Sequence, residues 1–136
     1  MNEEKLNRLP ADVKKQFLKY AIKLSEKKQK SKVHEDFLTF VKHVWPEFIE
    51  GEHHKKIAEK FNEIANKKIK RLIINMPPRH TKSEFASFLL PSWMVGRKPD
   101  LKIIQTTHTT ELAIRFGRKA KNLMDSPEYK QVFSTR

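Results

Sequence analysis

The residues best suited to chemistry lie in one short stretch, residues 75–83, which reads NMPPRHTKS. It follows an apolar run and ends in a Lys-Ser pair, Lys82 and Ser83. A phosphate-binding loop needs a buried strand leading in, free backbone N–H groups, a helix N-terminus facing the anion and such a pair at the helix start. In such a loop the lysine contacts the β and γ phosphates and the hydroxyl holds Mg²⁺. The spacing therefore predicts a nucleotide site with Lys82 on phosphate and Ser83 on Mg²⁺.

The loop departs from the usual GxxxxGK[ST] pattern at both glycine positions, and two prolines lie between them. Met76 and Thr81 stand where both glycines are expected, and glycine is favoured there because it permits positive φ and close approach to phosphate. Pro77 and Pro78 remove two backbone donors. We expect Thr81, a β-branched residue, to keep ordinary backbone angles. On spacing alone, an exposed Lys-Ser pair at the start of a helix explains the stretch better than a phosphate-binding loop does.

A cluster of cations in the loop supports an anion site, so that both interpretations remain open on the residues alone. Arg79 and His80 lie within three residues of Lys82. Positive groups gathered at a helix N-terminus repel one another and the helix dipole unless an anion binds there.

Hydrophobic periodicity predicts the elements that must position this loop. Short β-branched runs at residues 71–75 and 101–106 favour buried strands. Apolar residues at helical spacing predict helices over residues 11–28, 33–44, 53–66, from 82 to about 96 with a kink at Pro91, and 110–124. The order from residue 70 is β-α-β-α, so the predicted fold is α/β, a P-loop-type parallel sheet of two strands with crossover helices, preceded by N-terminal helices.

The net charge and the amino-acid composition restrict the kinds of molecule that this chain is expected to bind. The 136 residues carry a net charge of +13 and no cysteine, which excludes disulfides, cysteine zinc sites and cysteine catalysis and favours a polyanionic partner. No apolar run approaches the roughly 18 residues of a transmembrane helix, so no membrane partner is expected. Residues 1–32 carry ten basic and four acidic groups. They form either a peripheral helix with a solvated charged face or a direct contact to DNA phosphates.

Two longer segments of the sequence, the first of which contains the loop, resemble a known protein family. The chain resembles the large terminase subunit of tailed bacteriophages over about residues 35–133. Two segments carry this resemblance, RLIINMPPRHTKSEFASFLLPSW and LKIIQTTHTTELAIRFGRKAKNLM. Members of that family are ATP-driven motors that package double-stranded DNA into a capsid, and they often read PPRHGKS at this loop, with glycine at the position of Thr81. The resemblance implies ATP and Mg²⁺ as cofactors, DNA, portal and small terminase subunit as partners, a ring oligomer, and the cytoplasm of an infected bacterium as location.

The resemblance also implies roles for individual residues. Lys82 and Arg79 would be catalytic, with Arg79 stabilising charge on the γ-phosphate, and Ser83 would ligate Mg²⁺. A segment upstream of the first strand binds adenine in this family, which implies Trp45, Phe48 and His53 or His54, although core packing explains the two aromatic residues equally well. The complete implied nucleotide site is Trp45, His53, His54, Pro78, Arg79, His80, Thr81, Lys82 and Ser83.

The second acidic motif of an ATPase is missing from the sequence. Neither predicted strand ends in Asp-Asp or Asp-Glu, the pair that would bind Mg²⁺ and orient water. We therefore expect residues 33–136 to be the N-terminal part of an ATPase domain, inactive alone, behind a basic helix at residues 1–32. Two other functions remain open: another P-loop translocase of helicase type, and a basic DNA-binding protein without enzymatic activity.

Overall fold

The computed structural model describes residues 10–133 of the chain. The chain divides into two compact units, Met1–Ser31 and Lys32–Arg136. The first helix, α1, extends over Ala11–Glu35 and contains the boundary between these units. The remaining helices are α2 (Phe37–Val44), α3 (Glu52–Ala65), α4 (Lys82–Glu84), α5 (Leu90–Arg97), α6 (Thr110–Asp125) and α7 (Pro127–Val132), with a π-helical segment at Phe85–Leu89.

The predicted α/β fold is wrong for the part of the chain that the structure describes, which is helical and contains no strand. Residues 71–76 and 101–107 are irregular, and no backbone hydrogen bond joins the two segments. A strand requires a partner for its N–H and C=O groups and a surface to cover its side chains. Within residues 10–133 no such backbone partner is present. Leu72 and Ile74 pack against the core, whereas Ile73 and Ile104 are 85% and 91% exposed.

Helix α1 is longer than predicted, and the helix predicted over residues 33–44 is divided. The lysine- and glutamine-rich stretch after residue 28 continues the helix to Glu35, since these residues have high helix propensity. Asp36 then adopts extended backbone angles and caps α2, accepting from the N–H of Thr39 at 2.7 Å. A new helix therefore begins at Phe37.

The core of the second unit is aromatic and centres on Phe37, which is fully buried. Its ring contacts Phe61 of α3 at 5.1 Å, Phe85 at 5.4 Å and Trp93 of α5 at 5.5 Å between centroids. Edge-on aromatic contacts of this kind add to the burial of apolar area. They join α2 and α3 to the helical segment that begins at Lys82, so the end of the candidate loop is anchored on a packed core.

The helical segment over residues 82–97 widens to a π-helix before Pro91. Proline has no N–H, and its ring displaces the carbonyl four residues earlier, so the regular hydrogen-bond pattern is interrupted. The π-helical segment Phe85–Leu89 lies directly N-terminal to this interruption. The hydroxyl of Ser92 donates to the carbonyl of Phe88 at 2.7 Å. The distortion predicted at Pro91 is therefore found one turn earlier, as a change of helix type.

Candidate phosphate-binding site

The candidate site is the loop over residues 76–81 and the helix start that follows it. Phe85 and Leu89 are buried in the aromatic core, which fixes the direction of this helix. The loop itself is exposed at Pro77, Pro78, Arg79 and His80. An exposed loop that leads into an anchored helix is the local arrangement that an anion site requires.

The backbone of the loop adopts an unusual conformation at two residues. Arg79 has φ 65° and Thr81 has φ 55°, whereas His80 between them has negative φ. Alternation of this kind turns successive N–H groups toward one concavity, which binds anions in other proteins. The expectation that Thr81 keeps ordinary angles is wrong: it adopts the left-handed conformation that glycine adopts freely, at a cost of roughly 1–2 kcal/mol for a side chain with a Cβ.

The backbone donors of the loop are unused. Among residues 10–133, no backbone acceptor pairs with the N–H groups of residues 81–84, and Phe85 donates to the carbonyl of Thr81 at 2.9 Å. The first N–H groups of a helical segment have no partner inside the helix. Consecutive donors are therefore available to a phosphate group at the helix start.

Three predicted side chains surround these donors. Lys82 is half-buried, and its Nζ donates to the carbonyl of Met76 at 3.3 Å, which places the ammonium across the mouth of the loop. Arg79 and Ser83 are exposed. A phosphate would replace Met76 as the partner of Lys82, with a gain because both partners would then be charged.

His54 is buried and connects α3 to the loop. Its Nδ1 accepts from the N–H of Gly51 at 2.9 Å, and its Nε2 lies 2.5 Å from Oγ1 of Thr81. Burial lowers the pKa of His54, and the neighbouring charge of His53 lowers it further. The charge of Glu50 opposes the shift, and that of His80 adds to it. His54 therefore favours its neutral form, in which one ring nitrogen accepts and the other donates.

The other residues predicted for the nucleotide are connected to the loop less directly. Trp45 packs against Phe48 at 5.5 Å, and Phe48 packs against His54 at 4.8 Å. The ring of His53 lies 5.7 Å from that of His80. His53 also lines a cleft of about 300 Å³ between α3 and residues 72–76. The structure thus brings His53, His54 and His80 to the loop, whereas the aromatic pair belongs to the packing beneath it.

Two functional features of this region were not predicted from the sequence. Glu84 accepts from Lys119 of α6 at 2.7 and 2.8 Å, so the charge of this acid, two residues after Lys82, is neutralised. The contact between His54 and Thr81 was also missed. Both join residues more than 25 positions apart, and no local pattern indicates such contacts.

No family model, curated protein or solved structure matches this chain. Among the residues that the structure describes, no helix is long and apolar enough to cross a bilayer. The same residues contain no group of three or more His, Asp or Glu side chains placed to hold a metal ion.

The donor set fits a polyphosphate better than it fits a metal ion. Free N–H groups, Lys82 and Arg79 supply neutral and cationic donors around one loop. For Mg²⁺ the loop offers the hydroxyl of Ser83, and the ion's other ligands would be phosphate oxygens and water, as is common where Mg²⁺ accompanies a nucleotide.

Proposed function

We propose that residues 76–83 bind the phosphate groups of ATP. We further propose that the chain is the ATP-binding part of a viral DNA-packaging motor of the terminase large-subunit type. The observation that carries the first step is the run of unused N–H donors over residues 81–84, which follows the positive φ of Arg79 and Thr81. Backbone donors of this kind suit phosphate because they are fixed before the ligand arrives.

The charges around the loop support the same ligand. Lys82 and Arg79 add two cations to the backbone donors, and Glu84 is paired with Lys119. Little negative charge therefore remains beside the loop to repel a triphosphate. Lys82 would contact the β and γ phosphates, Arg79 the γ-phosphate, and Ser83 the accompanying Mg²⁺, which would neutralise charge on the phosphates when bound.

The assignment to a packaging motor rests on the two sequence runs quoted above and on the basic charge of the chain. The parallel sheet predicted from the sequence does not support this assignment, because residues 10–133 contain no strand. In a motor of this type double-stranded DNA would be the moved substrate, and portal, small terminase subunit and further copies of the chain in a ring would be partners, in the cytoplasm of an infected bacterium.

Binding of Mg-ATP, measured by isothermal titration calorimetry at 150 mM salt, tests the first step. Lys82→Ala removes a charged contact worth about 1.5–3 kcal/mol, so its Kd should rise about ten- to hundredfold. Lys121→Ala removes the same charge from an exposed position on α6 and should leave the Kd within about twofold. Equal losses in the two variants would mean that ATP responds only to the net charge.

A non-enzymatic DNA-binding protein is the second candidate, and the surface of α1 favours it. Lys15, Lys19 and Lys23 are exposed and recur every four residues, which places them along one face of the helix. Salt-dependent DNA binding without any ATP binding would select this function over the motor. Should both ligands bind, ATP hydrolysis and strand separation by the natural protein that contains this chain would distinguish a packaging motor from a helicase-type translocase.

A further inference from the structure

The hydrogen bonds of His54 determine which of its nitrogens carries the proton. Nδ1 lies 2.9 Å from the N–H of Gly51, so Nδ1 is the acceptor and is unprotonated. In the neutral ring the proton is then on Nε2. Nε2–H therefore donates to Oγ1 of Thr81, and the Thr81 oxygen is the acceptor in this contact.

This assignment leaves the hydroxyl proton of Thr81 available. A threonine hydroxyl has one proton to donate and two lone pairs to accept with. One lone pair is used by His54, and within residues 10–133 no oxygen or nitrogen accepts from the hydroxyl. Thr81 lies among the unused N–H groups of the loop, so its O–H adds a side-chain donor to the backbone donors there.

The surroundings of His54 hold it in place. Its ring packs between Phe48 at 4.8 Å and Phe85 at 5.2 Å, and both rings belong to the core or its edge. Gly51 supplies its donor from just before α3, and a Cβ at Gly51 would lie 2.9 Å from the ring of His53. The imidazole thus has little freedom to turn away from Thr81.

We infer that His54 is a positioning residue, which holds the hydroxyl of Thr81 so that it donates to a phosphate oxygen of the bound nucleotide. This inference rests on the proposed function. In this chain the position that glycine occupies in the resembling family contributes a side-chain donor, and His54 sets the direction of that donor. The bond to His54 also offsets part of the cost of the left-handed conformation of Thr81.

The inference predicts a dependence on pH. A proton on Nδ1 would point at the N–H of Gly51, so two donors would face each other. The hydrogen bond from Gly51 that holds the imidazole in position would then be lost. The titratable groups around His54 are His53, His80 and Glu50. Protonation of His53 or His80 makes protonation of His54 harder, and Glu50 makes it easier. Nucleotide affinity should therefore fall as the solution is acidified through the titration of His54.

Four single variants and one double variant test the inference by the Kd of Mg-ATP. Thr81→Val removes the hydroxyl and keeps the shape, and Thr81→Ser keeps the hydroxyl. His54→Asn keeps an acceptor for Gly51 but is too short to reach Thr81, whereas the amide of His54→Gln reaches it. Each variant's circular dichroism and melting temperature are compared with those of the natural sequence at the same pH.

We expect Thr81→Val and His54→Asn each to raise the Kd about three- to tenfold, the effect of one lost hydrogen bond. The double variant should be no worse than either single variant, because both remove the same contact. Thr81→Ser and His54→Gln should bind within about twofold of the natural sequence. Because the pKa of His54 is lowered from 6.5, the natural sequence should lose more affinity than His54→Gln between pH 7 and pH 5, and the ligand's own titration cancels in that comparison.

Two results would overturn the inference alone. One is an unchanged Kd in both Thr81→Val and His54→Asn while Lys82→Ala loses binding. The other is a double variant whose loss equals the product of the two single losses. If Lys82→Ala binds Mg-ATP as well as the natural sequence, or if the natural sequence does not bind it, the proposed function fails and the inference fails with it. Because Thr81→Val keeps a β-branched residue at positive φ, His54→Asn provides the test should that variant not fold.

Discussion

Lys119 donates to both carboxylate oxygens of Glu84, at 2.8 and 2.7 Å, although 35 positions separate the two residues. The ammonium of Lys119 also lies 5.1 Å from the ring centroid of Phe88. The pair joins α6 to the first turn of the helical segment behind the candidate loop. It thus holds the helical segment behind the loop and neutralises the charge of Glu84.

Lys119→Ala should lower the free energy of unfolding by about 0.5–1 kcal/mol, because the ion pair is partly exposed and is screened by water. Lys121→Ala, on the same helix and exposed, should change it by less than about 0.5 kcal/mol. Urea denaturation of both variants gives the comparison. Equal stabilities of the two variants would show that the contact contributes nothing to the docking of α6.

Gly96→Ala should destabilise the second unit by about 1–3 kcal/mol through overpacking. A Cβ at Gly96 would lie 2.6 Å from the hydroxyl oxygen of Tyr129 and 2.6 Å from Cγ of Phe133. Both rings are buried and have little room to move. A Cβ at Gly117 of α6 meets nothing within 4 Å, so Gly117→Ala should stabilise by about 0.5–1 kcal/mol.

The two glycine variants differ in sign, which makes thermal melting a direct test. Gly96→Ala should melt below the natural sequence and Gly117→Ala above it. A melting temperature for Gly96→Ala at or above that of the natural sequence would contradict the packing of Tyr129 and Phe133 against α5.

Tyr129 should make the stability of the second unit sensitive to alkaline pH. Its hydroxyl is buried and donates to the carbonyl of Ser92 at 2.7 Å, and burial raises the pKa of Tyr129 from 10.0 to about 12. A raised pKa favours the protonated folded state, so this contribution is complete below pH 10 and is lost as the pH rises toward 12. The shift corresponds to about 2–3 kcal/mol.

Tyr129→Phe separates this effect from the titration of lysines, which the two proteins share. At pH 8 the variant should be less stable by about 1 kcal/mol, because a buried hydrogen bond is lost. The difference should shrink above pH 10 and reverse about one pH unit higher, before pH 12 is reached. A constant difference in urea-denaturation free energy from pH 8 to pH 12 would disprove the assigned role of the phenol.

Asp36→Ala should cost about 2 kcal/mol or more, because Asp36 caps α2 and also binds a side chain of α3. Its carboxylate accepts from Thr39 at 2.7 Å and from Nδ2 of Asn62 at 2.7 Å, and loss of a cap alone costs about 0.5–2 kcal/mol. Asp100→Ala, at an exposed position, is the matched control. Chemical denaturation at pH 7 should separate the two variants clearly.

The same carboxylate predicts how stability responds to acid. Burial alone would raise the pKa of Asp36, but the hydrogen bonds from Thr39 and Asn62 outweigh it and lower the pKa below 3.8. A lowered pKa means that the contribution is complete above the ordinary value and is lost as the pH falls through the folded value. Asp36→Ala should therefore lose less stability than the natural sequence between pH 5 and pH 2.

Local patterns in the sequence predicted the positions of the helices, but the strands that they predicted at residues 71–75 and 101–106 are not formed. Thr109 and Ser126, residue types that often cap helices, precede α6 and α7, and their hydroxyls accept from the N–H groups of Leu112 and Tyr129. Such caps depend on neighbours within four residues. A strand depends on a partner elsewhere in the chain, and the exposed Ile73 has none within residues 10–133, so a β-branched run alone did not determine a strand.

In the candidate site too, local features could be predicted from the sequence and features that depend on tertiary contacts could not. The position of the loop followed from Lys82 and Ser83, because their spacing from the apolar run is local. The left-handed backbone of Thr81 did not follow, since a β-branched residue disfavours it unless a tertiary contact such as that of His54 offsets the cost. The family resemblance implied both Thr81 and His54 for the proposed nucleotide site, but no pattern in the sequence predicted the contact between them.

The lysines of α1 allow the proposed DNA partner to be tested by salt dependence. Lys15, Lys19 and Lys23 are exposed, and each phosphate that a lysine neutralises contributes about −0.9 to the slope of log K against log salt concentration. Replacing all three with alanine should therefore make that slope shallower by about 2–3. A matched triple variant at exposed Lys70, Lys98 and Lys121 removes the same charge outside α1 and should leave the slope nearly unchanged. Equal slopes for the two triple variants, measured by fluorescence anisotropy on a short duplex, would show that α1 carries a solvated charged face and does not contact DNA.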